Sequence, residues 1–213
     1  QPDRPANDAW VFDVLATDDR ATQRIRPWPV PVIETARLRL RPWRDSDRPG
    51  PDDGPDDAAR RFLPVHAQPS AQTFDAWLLR RRQCAAGGQT VDWCVADRQT
   101  DRMLGYVTLF TRGDAPIGFD AELGYWLVPT ARGHGYLAEA LPHVREHAFR
   151  PRADGGLEVT RLHAGADLDN VASTGVLARL GMREWGRDRQ AWERQDGSLA
   201  DGSYWELLRT DAR

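Results

Sequence analysis

Lysine is absent from the sequence of 213 residues, so all 29 basic residues are arginine. Asp and Glu together number 32, which leaves a formal net charge of −3 at pH 7. Proteins that bind nucleic acid usually carry a basic patch or stripe, so we expect no nucleic-acid partner. The mildly acidic balance gives slight support to a cationic substrate.

Long apolar runs and cysteines are also scarce. No run approaches the roughly 20 apolar residues that a membrane-spanning helix needs, and no basic segment followed by an apolar one marks a signal peptide. Cys84 and Cys94 form neither a metal-binding nor a redox spacing. We therefore expect a cytoplasmic protein in a reducing compartment, without a membrane partner.

The residues that are present favour a folded domain. Hydrophobic residues make up 40% of the chain and include nine tryptophans, and the length suits one domain with an appendage. We divide the chain into an N-terminal extension of residues 1–31, which ends in a proline-rich linker, and a domain of residues 32–213. Residues 10–15 of the extension favour a strand.

Hydrophobic periodicity predicts the elements of the domain. Residues 35–43 alternate apolar and basic side chains, which predicts an opening strand with Arg37, Arg39 and Arg41 on its solvent face. A helix with Ser70 as its N-cap should end before Gly87, with the arginines at 80–82 as its solvated end. The order of strands and helices predicts a mixed sheet with helices on both faces. The other predicted elements are a short helix at 57–63, a helix at 170–180, and strands at 91–96, 103–110, 119–128, 157–163, 183–194 and 204–209.

Residues 119–149 join a strand, a glycine-rich turn and the start of a helix. Aromatic and branched residues up to Val128 favour a strand, which Pro129 ends. The turn spans residues 130–136, and the apolar residues of the following helix are spaced by four, three and four positions, which places them on one helix face. They are Leu137, Leu141, Val144 and Ala148.

A turn that leads into a helix N-terminus can bind an anion. The first four N–H groups of a helix have no intrahelical partner, and the helix dipole is positive there. Gly133 and Gly135 lack a Cβ, which permits positive φ and a close approach to a diphosphate. Arg132 can add a charge-assisted contact. A purely structural turn would also explain the two glycines.

Two blocks of the sequence resemble motifs of a known family. Residues 121–129 followed by 132–141 resemble the acetyl-CoA-binding motif of the GNAT N-acetyltransferase superfamily, in particular its branch that acetylates ribosomal-protein N-termini. Residues 169–173 followed by 176–182 resemble the Asn-x-x-Ser and Leu-Gly-Phe sequences of that branch. The resemblance covers residues 33–209, and two motifs in the right order are much more specific than either one.

Three positions depart from the family pattern. Leu137 replaces the small residue that often closes the pyrophosphate turn, Met182 replaces the usual Phe, and Pro142 lies inside the helix. Because Pro142 removes one hydrogen bond of the helix, we expect a kink there.

The resemblance implies a fold, a co-substrate and the residues that bind it. The fold is a mixed, mainly antiparallel twisted sheet with helices on both faces, and the co-substrate is acetyl-CoA, without a metal. The backbone of Leu127 and Val128 is expected to bind pantetheine. Asn170 is expected as a cofactor contact, and Ser173 as a contact and as the acid for the thiolate, since Leu177 stands where many relatives have Tyr; a helix start alone would also explain Asn170 and Ser173. The amides expected at the pyrophosphate belong to Arg132, Gly133, His134, Gly135, Tyr136 and Leu137.

The base that deprotonates the amine has two candidates. Glu122 lies five residues before Leu127, on the strand expected beside the thioester. Alternation places Glu122, Gly124 and Trp126 on one face, where Gly124 would leave room for an acceptor. Glu193, on a late strand, is the rival. If Glu122 has only a structural role, we expect its carboxylate to be solvated or paired with an arginine of the opening strand.

Other motifs point to different classes of protein. Residues 143–147 spell H-x-x-E-H, a zinc-peptidase pattern, but no third ligand is identifiable, so we predict no metal. Residues 133–138 fit G-x-G-x-x-A, which makes a nicotinamide dinucleotide-binding oxidoreductase one alternative, with Asp167 as a candidate for the ribose. A non-catalytic acyl-CoA-binding domain is the other.

The sequence leaves the acceptor open. A small-molecule amine, an antibiotic and a peptide or protein N-terminus are all compatible, because acceptor pockets are built from variable loops. We expect a monomer or a homodimer.

Overall fold

The computed structural model describes residues 27–64, 67–111 and 120–211, so the predicted strand at 10–15 and the predicted strand start at Phe119 lie outside the described residues. The strands are β1 (Ile33–Glu34), β2 (Leu38–Arg41), β3 (Thr90–Asp97), β4 (Met103–Thr111), β5 (Asp120–Leu127), β6 (Arg161–Asp167), β7 (Arg183–Glu193) and β8 (Leu199–Leu208). The helices are α1 (Asp57–Phe62), α2 (Phe74–Ala86), α3 (Tyr136–Phe149) and α4 (Val171–Arg179).

Within the described residues, the strands form one sheet in the order β1-β2-β3-β4-β5-β6-β8-β7. Neighbours are antiparallel except β5 and β6, which are parallel. On one face, Trp77 of α2 lies 5.9 Å from Tyr106 of β4 between ring centroids. On the other face, Trp93 of β3 lies 5.5 Å from His147 of α3. The predicted mixed, mainly antiparallel sheet with helices on both faces is confirmed.

The block of strand, turn and helix folds as predicted. β5 ends at Leu127, a 3₁₀ turn covers Pro129–Ala131, and α3 begins at Tyr136. The face of α3 that was predicted to be apolar faces the core, where Leu141 and Ala148 are 1% and 0% exposed. The helix continues through Pro142 to Phe149.

Two predicted arginine positions are wrong. Arg41 does not share a solvent face: it is 2% exposed, because its guanidinium binds the Asp47 carboxylate at 2.7 and 2.8 Å. Arg81 is not a solvated helix end, because it donates to buried Asp92 at 2.6 Å and lies over the rings of Trp77 and Tyr106. In both cases the arginine is buried because it binds a carboxylate in another segment of the chain, and hydrophobic periodicity gives no signal for such a pair.

Three predicted boundaries also move. The strand predicted from Leu157 begins at Arg161, because the N–H groups of Leu157 and Val159 donate to carbonyls at the end of α3 instead of to a strand. α2 has Thr73 and not Ser70 as its N-cap, since the Ser70 carbonyl and hydroxyl both accept the Thr73 N–H in a preceding turn. β8 begins at Leu199, five residues before its predicted start.

The proline-rich linker contacts the domain where it is described. The Trp28 indole N–H donates to the Gly88 carbonyl at 3.1 Å, and the Trp93 indole N–H donates to the Pro31 carbonyl at 2.9 Å. Residues 28–31 therefore contact β3 and the end of α2. The boundary at residue 31 between the extension and the domain stays a prediction.

Candidate active site

β5 and β6 separate soon after they begin. They pair only at Asp120–Glu122 with Arg161–His163, although both strands continue beyond those residues. On their other sides, β5 pairs with β4 and β6 pairs with β8 along their lengths. The sheet therefore contains a gap, which we call the wedge, between β5 residues 123–127 and β6 residues 164–167.

The hydrogen-bond pattern decides which β5 groups face the wedge. The Val128 N–H donates to the Leu104 carbonyl at 2.9 Å, which turns it toward β4. Hydrogen-bonded pairs alternate along an antiparallel ladder, so the N–H and C=O groups that point away from β4 belong to Leu123, Tyr125 and Leu127. Of the two residues predicted to bind pantetheine, Leu127 faces the wedge, whereas the Val128 amide is already occupied.

The glycine turn presents a row of free donors. Gly133 and Gly135 have φ of 77° and 74°, in the left-handed region that favours glycine. Within the described residues, the N–H groups of residues 133–138 have no protein acceptor, and the first bonded one is Glu139, which donates to the Gly135 carbonyl. A Cβ on Gly133 would meet no atom within 4 Å. The turn therefore presents unbonded N–H donors and, at Gly133, open space.

Arg132 is committed to other partners. Its guanidinium donates to Asp56 at 2.8 and 3.0 Å and to the Leu127 carbonyl at 3.2 Å. Asp56 is also the N-cap of α1, accepting the Ala59 N–H. Burial raises the pKa of Asp56, but the hydrogen bonds from the Ala59 N–H and from Arg132 outweigh this effect and bring the pKa below its usual value. A phosphate would have to compete with Asp56 for the predicted Arg132 contact.

α1 joins the two sides of the wedge at its wide end. Asp56, at its start, binds Arg132, which follows β5. Arg61, near its end, donates to Asp169 at 3.0 Å, and Asp169 follows β6. The Gln195 side chain donates to the Leu63 carbonyl at 3.1 Å just beyond the helix. We call α1 with these contacts the α1 bridge.

Arg37 is a residue of this region that the sequence did not indicate. Its Nε donates to Glu139 at 2.6 Å and its Nη1 to the His134 carbonyl at 2.9 Å. Its guanidinium lies 4.8 Å from the centroid of the Tyr136 ring. The contacts span about a hundred residues, so Arg37 was predicted only as one of the solvent-face arginines of the opening strand.

Ser173 lies in the first turn of α4, beside a tyrosine that the sequence did not indicate. Asn170 is the N-cap, and its Oδ1 accepts the Ser173 N–H at 3.1 Å. The Ser173 Oγ and the Tyr125 hydroxyl are 2.8 Å apart. Burial raises the pKa of Tyr125 to about 12, against the opposing effect of its bond to Ser173. Leu177, where many relatives have Tyr, is 1% exposed in the core.

Glu122 stands at the vertex of the wedge, as the last β5 residue that pairs with β6. It is exposed, and it shares the α2 face with Trp126, whose ring lies 6.1 Å from Tyr106. Its carboxylate has no partner in the described part of the chain, so the predicted pairing with an opening-strand arginine is absent there. The prediction that Gly124 leaves room for an acceptor is wrong, because a Cβ there would lie 2.9 Å from Cε2 of Phe110.

Glu193, the other candidate for the base, lies outside the wedge. Glu193 ends β7 at the edge of the sheet, and β8 and β6 lie between β7 and β5. Three strand spacings correspond to roughly 14 Å, so Glu193 and Glu122 do not share a site. The neighbouring Arg194 binds Asp167 at 2.8 and 3.0 Å, which also occupies the carboxylate that a dinucleotide ribose would need.

The two histidines of the H-x-x-E-H pattern have different environments. His147 is 2% exposed and packs edge-on against Trp93, and neither ring nitrogen has a hydrogen-bond partner. Burial, with a smaller effect of Arg150, lowers the pKa of His147 to about 4. His143 is exposed on the outer side of α3. Among the described residues, no three His, Cys, Asp or Glu side chains form a group that could hold a metal.

The matched family agrees with this geometry. Residues 37–183 match the acetyltransferase (GNAT) domain. The chain belongs to the GNAT acetyltransferase family. This GNAT chain is an N-acetyltransferase that uses acetyl-CoA and an amine acceptor, so the oxidoreductase and non-catalytic alternatives are wrong. No helix among the described residues is long and apolar enough to cross a membrane.

Relatives of the GNAT chain include proteins of stated activity. It is 25% identical over 187 residues to an uncharacterised N-acetyltransferase, YoaA, of Bacillus subtilis (strain 168), covering 84% of this chain and 97% of that protein. The ribosomal-protein-S5-alanine acetyltransferase from Vibrio fischeri has a TM-score of 0.70 at 19% identity, covering 86% and 99% of the two chains. Ribosomal L7/L12 alpha-N-protein acetyltransferase in complex with coenzyme A has a TM-score of 0.65 at 18% identity, covering 86% and 100%. The two structural likenesses show the fold.

Proposed function

We propose that this enzyme acetylates the α-amine of a peptide or protein N-terminus at the wedge. The observation that carries the donor site is the coincidence of an unpaired β5 edge with the free N–H groups of residues 133–138. The acceptor class is supported by the named activities of the two fold relatives, which act on S5 alanine and on the L7/L12 α-amine.

Acetyl-CoA has complementary groups along this path. The pyrophosphate suits the row of N–H donors at the start of α3, where the helix dipole is also positive. Pantetheine amides suit the wedge-facing groups that remain unpaired, which are the Leu127 N–H, both backbone groups of Tyr125 and the Leu123 carbonyl, because an unpaired strand edge can bond an extended chain. This arrangement would direct the thioester toward the narrow end of the wedge, where Glu122 stands.

The acceptor approaches from the α2 face in this proposal. An alkyl ammonium has a pKa near 10, so the amine must lose a proton before or during attack. Glu122 takes that proton, directly or through water. The neutral nitrogen then bonds to the thioester carbon and releases its second proton to water, the C–S bond breaks, and Ser173 on the opposite face supplies a proton to the sulfur. A wedge-facing β5 N–H, with Leu127 as the candidate, stabilises the oxyanion.

The test uses a peptide that contains both kinds of amine. A peptide with a free N-terminal Ala or Ser and one internal Lys is incubated with acetyl-CoA, and thiol release and peptide mass are followed. We expect one acetyl group, located on the α-amine by fragmentation, and no reaction of the same peptide with a formylated N-terminus. Acetylation of Lys alone, or of small-molecule amines while all free peptides are inert, would overturn the proposed acceptor.

A further inference from the structure

We propose that Tyr125 is a positioning residue for the acid step, and that its hydroxyl orients the Ser173 hydroxyl into the wedge. The inference rests on the proposed role of Ser173 as the acid. Tyr125 comes from β5, on one side of the wedge, and Ser173 comes from α4, which follows the strand on the other side. Their hydrogen bond therefore joins two groups across the gap in which the thiolate would form.

The geometry favours one direction for this hydrogen bond. The Tyr125 hydroxyl lies 2.8 Å from Ser173 Oγ and 3.3 Å from the Ser173 carbonyl oxygen. The shorter contact has the better length for an O–H···O bond, so we assign the Tyr125 proton to Oγ. Because a serine hydroxyl has only one proton, Ser173 is then free to donate that proton elsewhere.

The surroundings hold both residues in place. Asn170 fixes the Ser173 backbone through the N-cap bond. Leu177, one turn later, is buried and has no group to offer. Burial keeps the pKa of Tyr125 at about 12, so its phenol remains a proton donor at neutral pH.

The proposed step is balanced as follows. When the tetrahedral intermediate collapses, the electron pair of the C–S bond passes to sulfur, and sulfur takes the proton of the Ser173 hydroxyl. The hydrogen bond from Tyr125 stabilises the negative charge that is left on Oγ. The proton that the attacking nitrogen released to water returns to Ser173 after CoA leaves. The Tyr125 hydroxyl never bonds to the substrate, so the contribution of this side chain should depend entirely on Ser173.

A double-mutant cycle tests this dependence. We compare Tyr125→Phe, Ser173→Ala and the double variant with the parent enzyme, and use Tyr204→Phe on β8 as a matched control outside the site. We expect Tyr125→Phe to lower kcat about 10- to 100-fold, the effect of losing a hydrogen bond to a developing charge. The KM for acetyl-CoA should not change. The double variant should be no slower than Ser173→Ala, and Tyr204→Phe should keep the parent kcat.

The outcomes separate this inference from the proposed function. A slow Ser173→Ala together with a fully active Tyr125→Phe would overturn the role of Tyr125 and leave the acid assignment in place. A fully active Ser173→Ala would remove the acid assignment, and the inference with it. Multiplicative losses in the double variant would show that Tyr125 acts independently of Ser173, which also contradicts positioning.

A second substitution keeps the inference testable if Tyr125→Phe does not fold. A 3-fluorotyrosine at position 125 keeps the ring and the hydroxyl but makes the phenol more acidic. If Tyr125 must stay protonated to orient Ser173, the alkaline limb of the kcat profile should move to lower pH. An alkaline limb at the parent position would overturn the inference.

Discussion

Glu122 and Ser173 lie on opposite faces of one sheet, and the wedge is the reason that both can reach the same ligand. Glu122 shares the α2 face with Trp126, whereas Ser173 belongs to α4 on the other face. In a continuous sheet, the backbone of a neighbouring strand would separate the two groups. Here β5 has no partner on the β6 side beyond the vertex, so the proposed base and the proposed acid can act from the two sides of one thioester.

Substitution of Glu122 tests the base. Glu122→Gln removes the proton acceptor and keeps the size of the side chain, so we expect kcat to fall by the 10²- to 10⁴-fold typical of general base catalysis. The loss should shrink as pH rises, because the amine then loses its proton in solution. Steady-state kinetics between about pH 7 and 10 check this expectation.

Glu193→Gln is the matched control, since Glu193 lies on the far edge of the same sheet. It should keep the kcat of the parent enzyme at every pH. If Glu122→Gln is fully active and Glu193→Gln shows the pH-dependent loss, the base is Glu193. If both variants are fully active, ordered water accepts the proton.

His147 should make the fold sensitive to acid. Its folded pKa is about 4, below the ordinary value of 6.5, so the folded state resists protonation more than the unfolded state does. The free energy of unfolding therefore has its full value above pH 6.5. It falls as pH drops through 4, by up to roughly 3 kcal/mol in total. Urea unfolding of the parent and of His147→Phe across this range measures the difference.

His147→Phe keeps a ring against Trp93 and removes both unpartnered nitrogens. The variant should be at least as stable as the parent at pH 7, because two buried nitrogens that lack a hydrogen bond are removed. Its unfolding free energy should also fall less between pH 6.5 and 4. An equal fall in both proteins would contradict the assignment of the acid sensitivity to His147.

At the scale of elements, the α1 bridge places a carboxylate where a phosphate would otherwise bind. Asp56 holds the Arg132 guanidinium from the N-terminus of α1, while Arg61 binds Asp169 beyond the other side of the wedge. The bridge therefore links the wedge sides through ion pairs that a bound anion can rearrange. Partly exposed ion pairs of this kind contribute roughly 0 to 1 kcal/mol, so the rearrangement has a small cost.

Asp56→Asn tests this competition. Asn retains the N-cap function but releases Arg132 for the pyrophosphate, so we expect CoA to bind up to about fivefold more tightly. Isothermal titration measures the affinity. In the Asp56→Asn background, Arg132→Gln should cancel the gain. An affinity that is unchanged or weaker in Asp56→Asn would show that Arg132 is not a phosphate contact.

Local patterns predicted the elements that depend on neighbouring residues. The turn with Gly133 and Gly135 and the apolar face of α3 follow from spacing along a few turns of chain, and they fold as expected. Arg41 and Arg81 were misplaced because Asp47 and Asp92, which bury them, leave no mark in the periodicity. The same patterns could not predict the wedge, because it depends on where pairing between β5 and β6 stops.

The site needed information from far along the chain. Tyr125 and Ser173 lie 48 residues apart, and neither belongs to a pattern that predicts contact with the other. Arg37 reaches Glu139 across 102 residues. Resemblance to a family supplied Ser173, Asn170 and the turn amides as expectations, whereas the roles of Tyr125 and Arg37 became visible only in the folded sheet.

For the whole molecule, binding of CoA should raise the melting temperature. A ligand that binds only the folded state adds about 2.7 kcal/mol at a concentration of 100 Kd. We expect a shift with CoA and acetyl-CoA and none with nicotinamide dinucleotides. Gly135→Asp should abolish the shift, because it sets a carboxylate at the turn and places a side chain where φ is 74°.

The control for this measurement is the fold of the variant itself. Circular dichroism of Gly135→Asp should match the parent, since Asp tolerates the left-handed region better than most residues and a Cβ at that position would lie no closer than 3.8 Å to another residue, at the Arg37 guanidinium. A folded Gly135→Asp that keeps the full CoA shift would show that the turn is only structural.

The three residue pairs that join β5 to β6 also mark a boundary along which we expect the molecule to open as two units. One unit is the sheet from β1 to β5, and the other is β6, β7 and β8 with α4. Besides the three pairs, they are linked by the α1 bridge and by contacts such as Arg145 Nη1 with the Leu180 carbonyl at 3.2 Å. Sub-global opening often follows such boundaries, so we expect amides of β8 to exchange with solvent without unfolding of β3. We expect a thioester ligand that bonds both edges of the gap to couple the two units, so that its binding slows exchange far from any atom that it touches.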